Sequence, residues 1–378
     1  MSSLRSDIST GHGARPDLPS LTGLRGLAAS VVALAHLQDT PGVFMWHNAV
    51  DLFFVLSGFT LSYIYRRETF AFGEYLKARI ARIYPLYLVC LILAGAIYIG
   101  PFVIDPSGYP VRNAVADFLM QLAMLNAWPV IGSSVHWDAP AWSLSAEWFC
   151  YLLLFPLLIL AKAPPTTATR LLGIVVASAA SYTWFSCFFD YHLAEPQVHA
   201  SIKTLSDWTA VARAVFGFTA GWIANACFQK RDGLQQACAR FAWLIWCAVA
   251  IIVLLASRDM FNSHALVFVY PFVILAATDP SSASSRLLAS KPLHFLGEIS
   301  YSIYMTHMII LLVLFALGLL PDSWSLPMTA ATFCVTLVVS TVSYFTIEKP
   351  ARDWVRRLRP TLLDGAVRRE APSPDAAQ

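Results

Sequence analysis

Charge is what this sequence has least of. Only 13% of its 378 residues are Asp, Glu, Lys or Arg, about half the roughly 25% usual in soluble domains. A soluble protein of this length needs a charged surface to stay dispersed, so a soluble globular fold is excluded. The net charge of +3 is too small for the electrostatic footprint of a nucleic-acid-binding protein. Cysteine is sparse and scattered: the seven include no Cys-x-x-Cys pair. An odd number without metal-ligand spacing excludes a disulfide framework and a zinc site, leaving small buried hydrophobes. A secretory signal is missing too, because residues 1–20 are polar, contain Pro16 and Pro19, and lead into no cleavable apolar core. What is abundant is apolar: 57% hydrophobic residues, with 24 Phe and 12 Trp, and a mean hydropathy of +0.59. Intrinsic disorder is incompatible with that composition. An all-α, multipass membrane protein remains.

A spanning helix takes about 20 mostly apolar residues. Stretches of that kind fall near 20–38, 48–66, 82–103, 143–161, 171–189, 208–228, 240–257, 263–278, 297–320 and 327–347. A weaker one near 114–130 contains Asp117, Gln121 and Asn126 and ends at Pro129. If it does not cross, 22 of the 26 Lys and Arg fall on one side, leaving Arg112, Lys203, Arg213 and Arg258 on the other. If it does cross, the basic tail from Lys349 to Arg369 is placed opposite the Arg66–Arg82 cluster. The positive-inside rule therefore predicts a polytopic helix bundle of ten spans with both termini cytoplasmic. The 114–130 stretch becomes an outer-side helix, re-entrant or interfacial. Irregular backbone at membrane depth needs protein or a watery cavity around it, so this stretch is expected to wall an outward-open cavity. Residues 1–17 read as a flexible N-terminal segment, 18–350 as one membrane domain, and 351–378 as a basic, largely disordered cytoplasmic tail. The 190–207 loop is polar, with two His and a Pro, and reads as a lid or a solvated connection.

Ionisable groups inside apolar helices are costly, and by default they mark function. Arg25 and His36 are eleven residues apart on one helix face, about 16 Å along the axis. Arg25 reads as a cation at the inner mouth or as a snorkelling anchor. His36 reads as a titratable group further out or as a structural histidine. Asp51 opens the second span on the side of His36, where it either orients the imidazole or caps its own helix. Ser57 and Gly58 read mainly as small residues for close helix packing. Arg79 and Arg82 share a face at the cytoplasmic boundary; paired guanidiniums suit a phosphate or pyrophosphate, and they also suit plain anchoring. Pro85 marks a kink or a first helical turn. Glu147 enters an apolar run among Trp137, Trp142 and Trp148, which read either as an interfacial belt or as a sugar-stacking platform. His307 falls near mid-membrane, with Glu298 near the inner face.

These segments together resemble the acyltransferase-3 family of membrane O-acyltransferases over residues 18–350. The motifs, in order, are Arg25-x10-His36 within LTGLRGLAASVVALAHL, then DLFFVLSGFTLSYIY, Arg79-x-x-Arg82, WSLSAEWFCYLLLFP, LGEISYSIYMTHMII and FTIEKPARDW. Each is weak alone; all six in order are specific. The resemblance implies transfer of an acyl group, usually acetyl from acetyl-CoA, to a hydroxyl of an extracytoplasmic glycan. Exopolysaccharide or a lipid-linked oligosaccharide is the expected kind of acceptor. It also implies an inner-membrane location and a stand-alone member without the hydrolase domain that some members carry.

Within that reading, Arg25, Arg79 and Arg82 bind the donor's phosphates. His36 is the general base or a transient acyl carrier, and Asp51 or Glu147 fixes its tautomer. Trp137, Trp142, Ser143 and His307 are the candidates for acceptor binding. A thioester needs no metal for activation, so none is expected. The alternatives are acylation of a small lipid or macrolide-type metabolite, transfer of a longer or dicarboxylic acyl group, and a proton-coupled transporter or flippase. The last implies inverted repeats and broken helix pairs in matching halves, neither of which the sequence displays.

Overall fold

The structure, a computed structural model, describes residues 17–37, 48–104, 111–129, 131–132, 137–193, 209–258, 260, 262–321 and 323–357. Among them every regular element is helical. The chain runs through α1 (Pro19–Ala35), α2 (Ala49–Ile64), α3 (Phe72–Ile104) and α4 (Val111–Leu122). It continues with α5 (Ala141–Leu160), α6 (Thr167–Leu193), α7 (Ala210–Lys230), α8 (Gly233–Arg240) and α9 (Ala242–Ala256). A 3-10 turn (Ser263–Phe268) leads into α10 (Tyr270–Ala277), and α11 (Ala283–Leu288) and α12 (Lys291–Glu298) precede α13 (Ser300–Ala316). The last elements are α14 (Leu326–Ser343), a π turn (Tyr344–Glu348) and α15 (Lys349–Arg357).

Among the described residues, four helical stretches are long and apolar enough to cross a membrane: Phe72–Ile97, Ala141–Leu160, Ala210–Lys230 and Leu326–Val355. The number is six if α8 with α9, bent by 72°, and α12 with α13, bent by 65°, each form one broken span. Both bent pairs lie in the C-terminal half, so they are not broken pairs in matching halves. α1 and α2, at 17 and 16 residues, are apolar but fall at or just under the usual crossing length. Leu157, Val176, Trp243 and Val338 are among the many large apolar side chains facing outward. In water such a surface would be a large aggregation liability; in a bilayer it is the lipid-facing side.

Two backbone contacts set the frame. α2 and α7 lie so close that a Cβ on Gly58 would stand 2.0 Å from Phe218 O, and one on Gly221 2.0 Å from Val55 O. No side chain fits there, as the small-residue pattern of α2 predicts. Likewise, Gly297 at the end of α12 abuts Thr22 O on α1. Gly26 also touches Gly297, and ten residues further along each chain the rings of His36 and His307 meet. α1 and α13 therefore run parallel and in step. Arg25 and Tyr301 lie at one end of that pair, and the two histidines at the other.

The segment near 114–130 is not among the stretches long and apolar enough to cross a membrane. α4 has 12 residues, well short of a span, and Met124 then takes a left-handed φ of 55°. Its irregular backbone is covered by protein: Ser145 Oγ donates to Met124 O and accepts from Ala127 N, and Tyr87 donates to Gln121 O at 2.5 Å. Tyr84 donates to Leu122 O.

Two further details are sharpened. Pro85 lies inside α3, which starts thirteen residues earlier at Phe72, so it is not in a first turn. The tail expected to be disordered from 351 begins as helix α15, because Lys349–Arg357 continues α14 through the π turn and Arg352 packs over Tyr344. Residues 358–378, residues 1–16 and most of the 190–207 loop lie outside the described residues.

Candidate active site

α1, α2, α3, α5 and α13 surround a partly open cavity. Arg25, Arg79, Arg82 and Glu147 line it together with Ser57, Thr60, Ser143, Tyr151, Ser300, Tyr301 and Tyr304. The three arginines that spacing singled out on two separate helices thus converge on one space. None of the described residues of the 114–130 stretch lines this cavity. Tyr84, Tyr87 and Ser145 bond its backbone carbonyls and tie it to α3 and α5.

Two of the arginines have identified contacts. Arg25 donates from Nη2 to Thr60 Oγ1 at 2.9 Å. Arg79 lies over the Tyr151 ring at 5.9 Å, while its Nε is buried without a hydrogen-bond partner. Glu147 neutralises part of this charge, its Oε1 accepting from Tyr151 at 2.5 Å and from Ser57. Ser57 is therefore more than a packing residue. Three guanidiniums against one carboxylate leave net positive charge in a protein-walled space, which favours an anion with several oxygens.

The opposite end of the cavity is uncharged. Ser143, at the start of α5, and Tyr304, on α13, place their oxygens 2.6 Å apart. One turn beyond Tyr304, His307 stacks obliquely on His36 with ring centres 5.0 Å apart, and the Tyr304 and His307 rings are 5.9 Å apart. His36 Nδ1 is 2.9 Å from Val32 O and His307 Nδ1 3.2 Å from Ile303 O. Both imidazoles thus bond their own helix through Nδ1, the pairing that puts the basic lone pair on Nε2. His36 does not itself line the cavity. It stands behind Tyr304 and His307, joined to the cavity by this chain of rings.

Two carboxylate expectations are corrected. Asp51 does not serve the imidazole of His36. Its two oxygens are taken by Arg213 at 3.0 and 2.8 Å, and His264 Nδ1 lies 3.4 Å away. A buried carboxylate stays ionised when a cation sits beside it, and Arg213, 162 residues away in sequence, supplies that cation. Glu147, two turns into α5, groups with the arginines rather than with His36. The tautomer of His36 is set by the Val32 carbonyl.

The tryptophans also differ from expectation. Trp137 is buried against Phe118 and Gly95. Trp142 is buried between Phe54 and the guanidinium of Arg213, 5.2 Å from its ring centre. Both indoles are covered on their faces, so they form neither an interfacial belt nor an open stacking platform.

The sequence reading missed Arg213, His264, Tyr151, Tyr304 and Asp138. A lone Arg inside an apolar run was the available signal for Arg213, since such a charge requires a partner. Asp138, in the turn before α5, is fully buried with neither carboxylate oxygen hydrogen-bonded. Burial pushes its carboxyl well above the usual carboxylate range.

A helical, lipid-facing bundle around a buried cationic cavity with a histidine pair behind its neutral end defines an integral membrane protein with a site for an anionic ligand. The chain matches the acyltransferase-domain family over residues 18–345 and belongs to the acyltransferase-3 family. It is similar to acyltransferase MdmB of Streptomyces mycarofaciens, 35% identical over 156 residues, 37% of this chain and 38% of that protein. It is also similar to O-acetyltransferase OatA of Staphylococcus aureus, 26% identical over 365 residues, 89% of this chain and 57% of that protein. Protein 2 in the picA locus of Rhizobium radiobacter is 41% identical over 90 residues, 22% of this chain and 47% of that protein. The matches thus span between about a third and three fifths of those relatives. No solved structure matches the fold.

Proposed function

We propose that this protein is a membrane O-acyltransferase that moves an acetyl group from acetyl-CoA to a hydroxyl of an extracytoplasmic glycan, exopolysaccharide or a lipid-linked oligosaccharide. Family membership and the similarity to acyltransferase MdmB and O-acetyltransferase OatA support acyl transfer. The convergence of Arg25, Arg79 and Arg82 on one cavity is the observation that carries the donor assignment. We place the protein in the cytoplasmic (inner) membrane with ten spans and both termini inside. The arginine end of the cavity then faces the donor's compartment.

In this reading the arginines hold the donor's phosphates, and the acyl arm extends past Ser143 and Tyr304 to the histidine pair, where the acceptor hydroxyl enters from the opposite side. His36, with Nδ1 held by Val32, takes the proton of the acceptor hydroxyl on Nε2. The hydroxyl oxygen attacks the thioester carbonyl, the C–S bond breaks, and the thiolate leaves with the electron pair. General-base assistance of this kind is worth about 10²–10⁴ in rate. His307 stacks beside His36 as a positioning residue, and Ser143 and Tyr304 offer hydroxyls at the reacting end. Trp137 and Trp142 support this wall from behind rather than stacking on a sugar. Asp51 acts further back, neutralising Arg213. No metal enters the scheme.

The test compares surface glycans of cells with and without the gene by mass spectrometry. Loss of O-acetyl groups from one glycan class, restored by the intact gene, is the expected result. Identical glycan acylation in both strains, combined with acylation of a small lipid, contradicts the acceptor assignment.

A further inference from the structure

A second cavity lies at the same end of the bundle as the arginines, on the other face of α2. It is a groove of about 1540 Å³ between the C-terminal ends of α2, α5 and α7 and the start of α6. Its wall carries Arg66, Arg67, Lys162 and Lys230, with Glu68 as the acid among its lining residues. Arg170 also lines it but is spent on Asp232 and on the carbonyls of Pro164 and Pro165. Tyr65, Phe155 and Trp222 supply aromatic surface. Asn225 lines the groove too; it is 4% exposed, and its Oδ1 is buried without a hydrogen-bond partner.

An orphaned buried amide oxygen calls for a donor, and the cations around it call for anionic oxygens. A ligand with phosphates, an aromatic ring and an exocyclic amino group satisfies all of these. A phospholipid headgroup supplies no ring for the aromatic wall. The groove also adjoins the active-site cavity along α2: Ile64 lines the cavity, and the next residue, Tyr65, lines the groove.

We propose that this groove receives the phosphorylated adenosine end of the acyl-CoA donor, with Arg66, Arg67, Lys162 and Lys230 facing its phosphates and Asn225 Oδ1 accepting from the adenine amino group. This rests on the CoA-thioester reading of the main cavity and extends it. The donor is then gripped at two places, and the groove sets affinity while the cavity sets chemistry.

The experiment uses the purified full-length protein in detergent. Calorimetry measures binding of adenosine 3′,5′-bisphosphate, the nucleotide end alone, and of its inosine counterpart, which lacks the amino group. The adenosine form should bind more tightly than the inosine form, and Asn225→Leu should erase that preference. The pairs Arg66→Ala with Arg67→Ala, and Lys162→Ala with Lys230→Ala, should each weaken binding about tenfold or more, as loss of charge-assisted contacts implies. The same pairs should raise KM for acetyl-CoA with kcat retained. With acetyl-pantetheine, which carries no nucleotide, the gap from wild type should close. Wild-type turnover with unchanged KM in both pairs overturns this inference and leaves the acyltransferase reading intact. Bisphosphate binding unaffected by the charge pairs, or a groove filled by phosphatidylglycerol that the bisphosphate does not displace, also overturns it. No thioester consumption by the wild type overturns both readings together.

Discussion

At the scale of single residues, the site is organised by which charges find partners. Asp51 and Arg213 are nearly inaccessible and doubly bonded. Removing one partner strands the other in an apolar interior at a cost of about 3–5 kcal/mol. Asp51→Ala should therefore lower the unfolding midpoint in detergent sharply, whereas Asp51→Leu combined with Arg213→Leu should be far milder. Equal losses in the single and double variants contradict the pairing. Asp138 behaves oppositely, since its carboxyl is buried unpaired and its folded-state pKa is raised. A raised acid costs nothing below its unfolded value of about 3.9. The cost grows as pH rises from there towards the folded value, because the unfolded state releases the proton first. Asp138→Asn removes that dependence, so the variant should gain stability relative to wild type between about pH 4 and pH 7. Melting curves across that range check it, and parallel curves refute it. The partner of Asp51 was not legible in the sequence, because a contact across 162 residues leaves no local pattern. What was legible was only that a lone Arg213 in an apolar run needs an acid.

At the scale of helices, close backbone approach fixes the geometry. Gly58 and Gly221 each face a carbonyl at a distance no Cβ tolerates. Gly58→Ala or Gly221→Ala should push α2 from α7 and cost about 1–3 kcal/mol or more from overpacking. An alanine variant with an unshifted melting point contradicts the contact. The helix periods and the apolar runs made α1, α2, α3, α5, α7 and α13 readable in advance. The convergence of Arg25 with Arg79 and Arg82 was readable too, because polar groups in apolar helices seek a shared space. The kink between α12 and α13 and the covered loop after α4 were not, since both depend on tertiary contacts: Gly297 against α1, and Ser145 against Met124. Glu147 illustrates the limit. Its presence inside an apolar run announced a role, but its height along α5 decided that the role lies with the arginines.

At the scale of the whole molecule, charge is divided lengthwise. Cations gather at the end that holds Arg25, Arg79 and Arg82, and the histidine pair stands at the other. Arg79→Ala and Arg82→Ala should weaken acetyl-CoA binding and reduce its salt sensitivity, because screening acts on the charges they remove. Binding that is unchanged in both affinity and salt slope returns these arginines to membrane anchoring. The central claim is that His36 accepts the proton during acyl transfer. The direct measurement is thioester consumption by the reconstituted protein with acetyl-CoA supplied on the arginine side, comparing wild type with His36→Ala. The account predicts a loss of about 10²–10⁴ in rate with folding and donor binding retained. Near-normal turnover by the folded His36→Ala protein would contradict it.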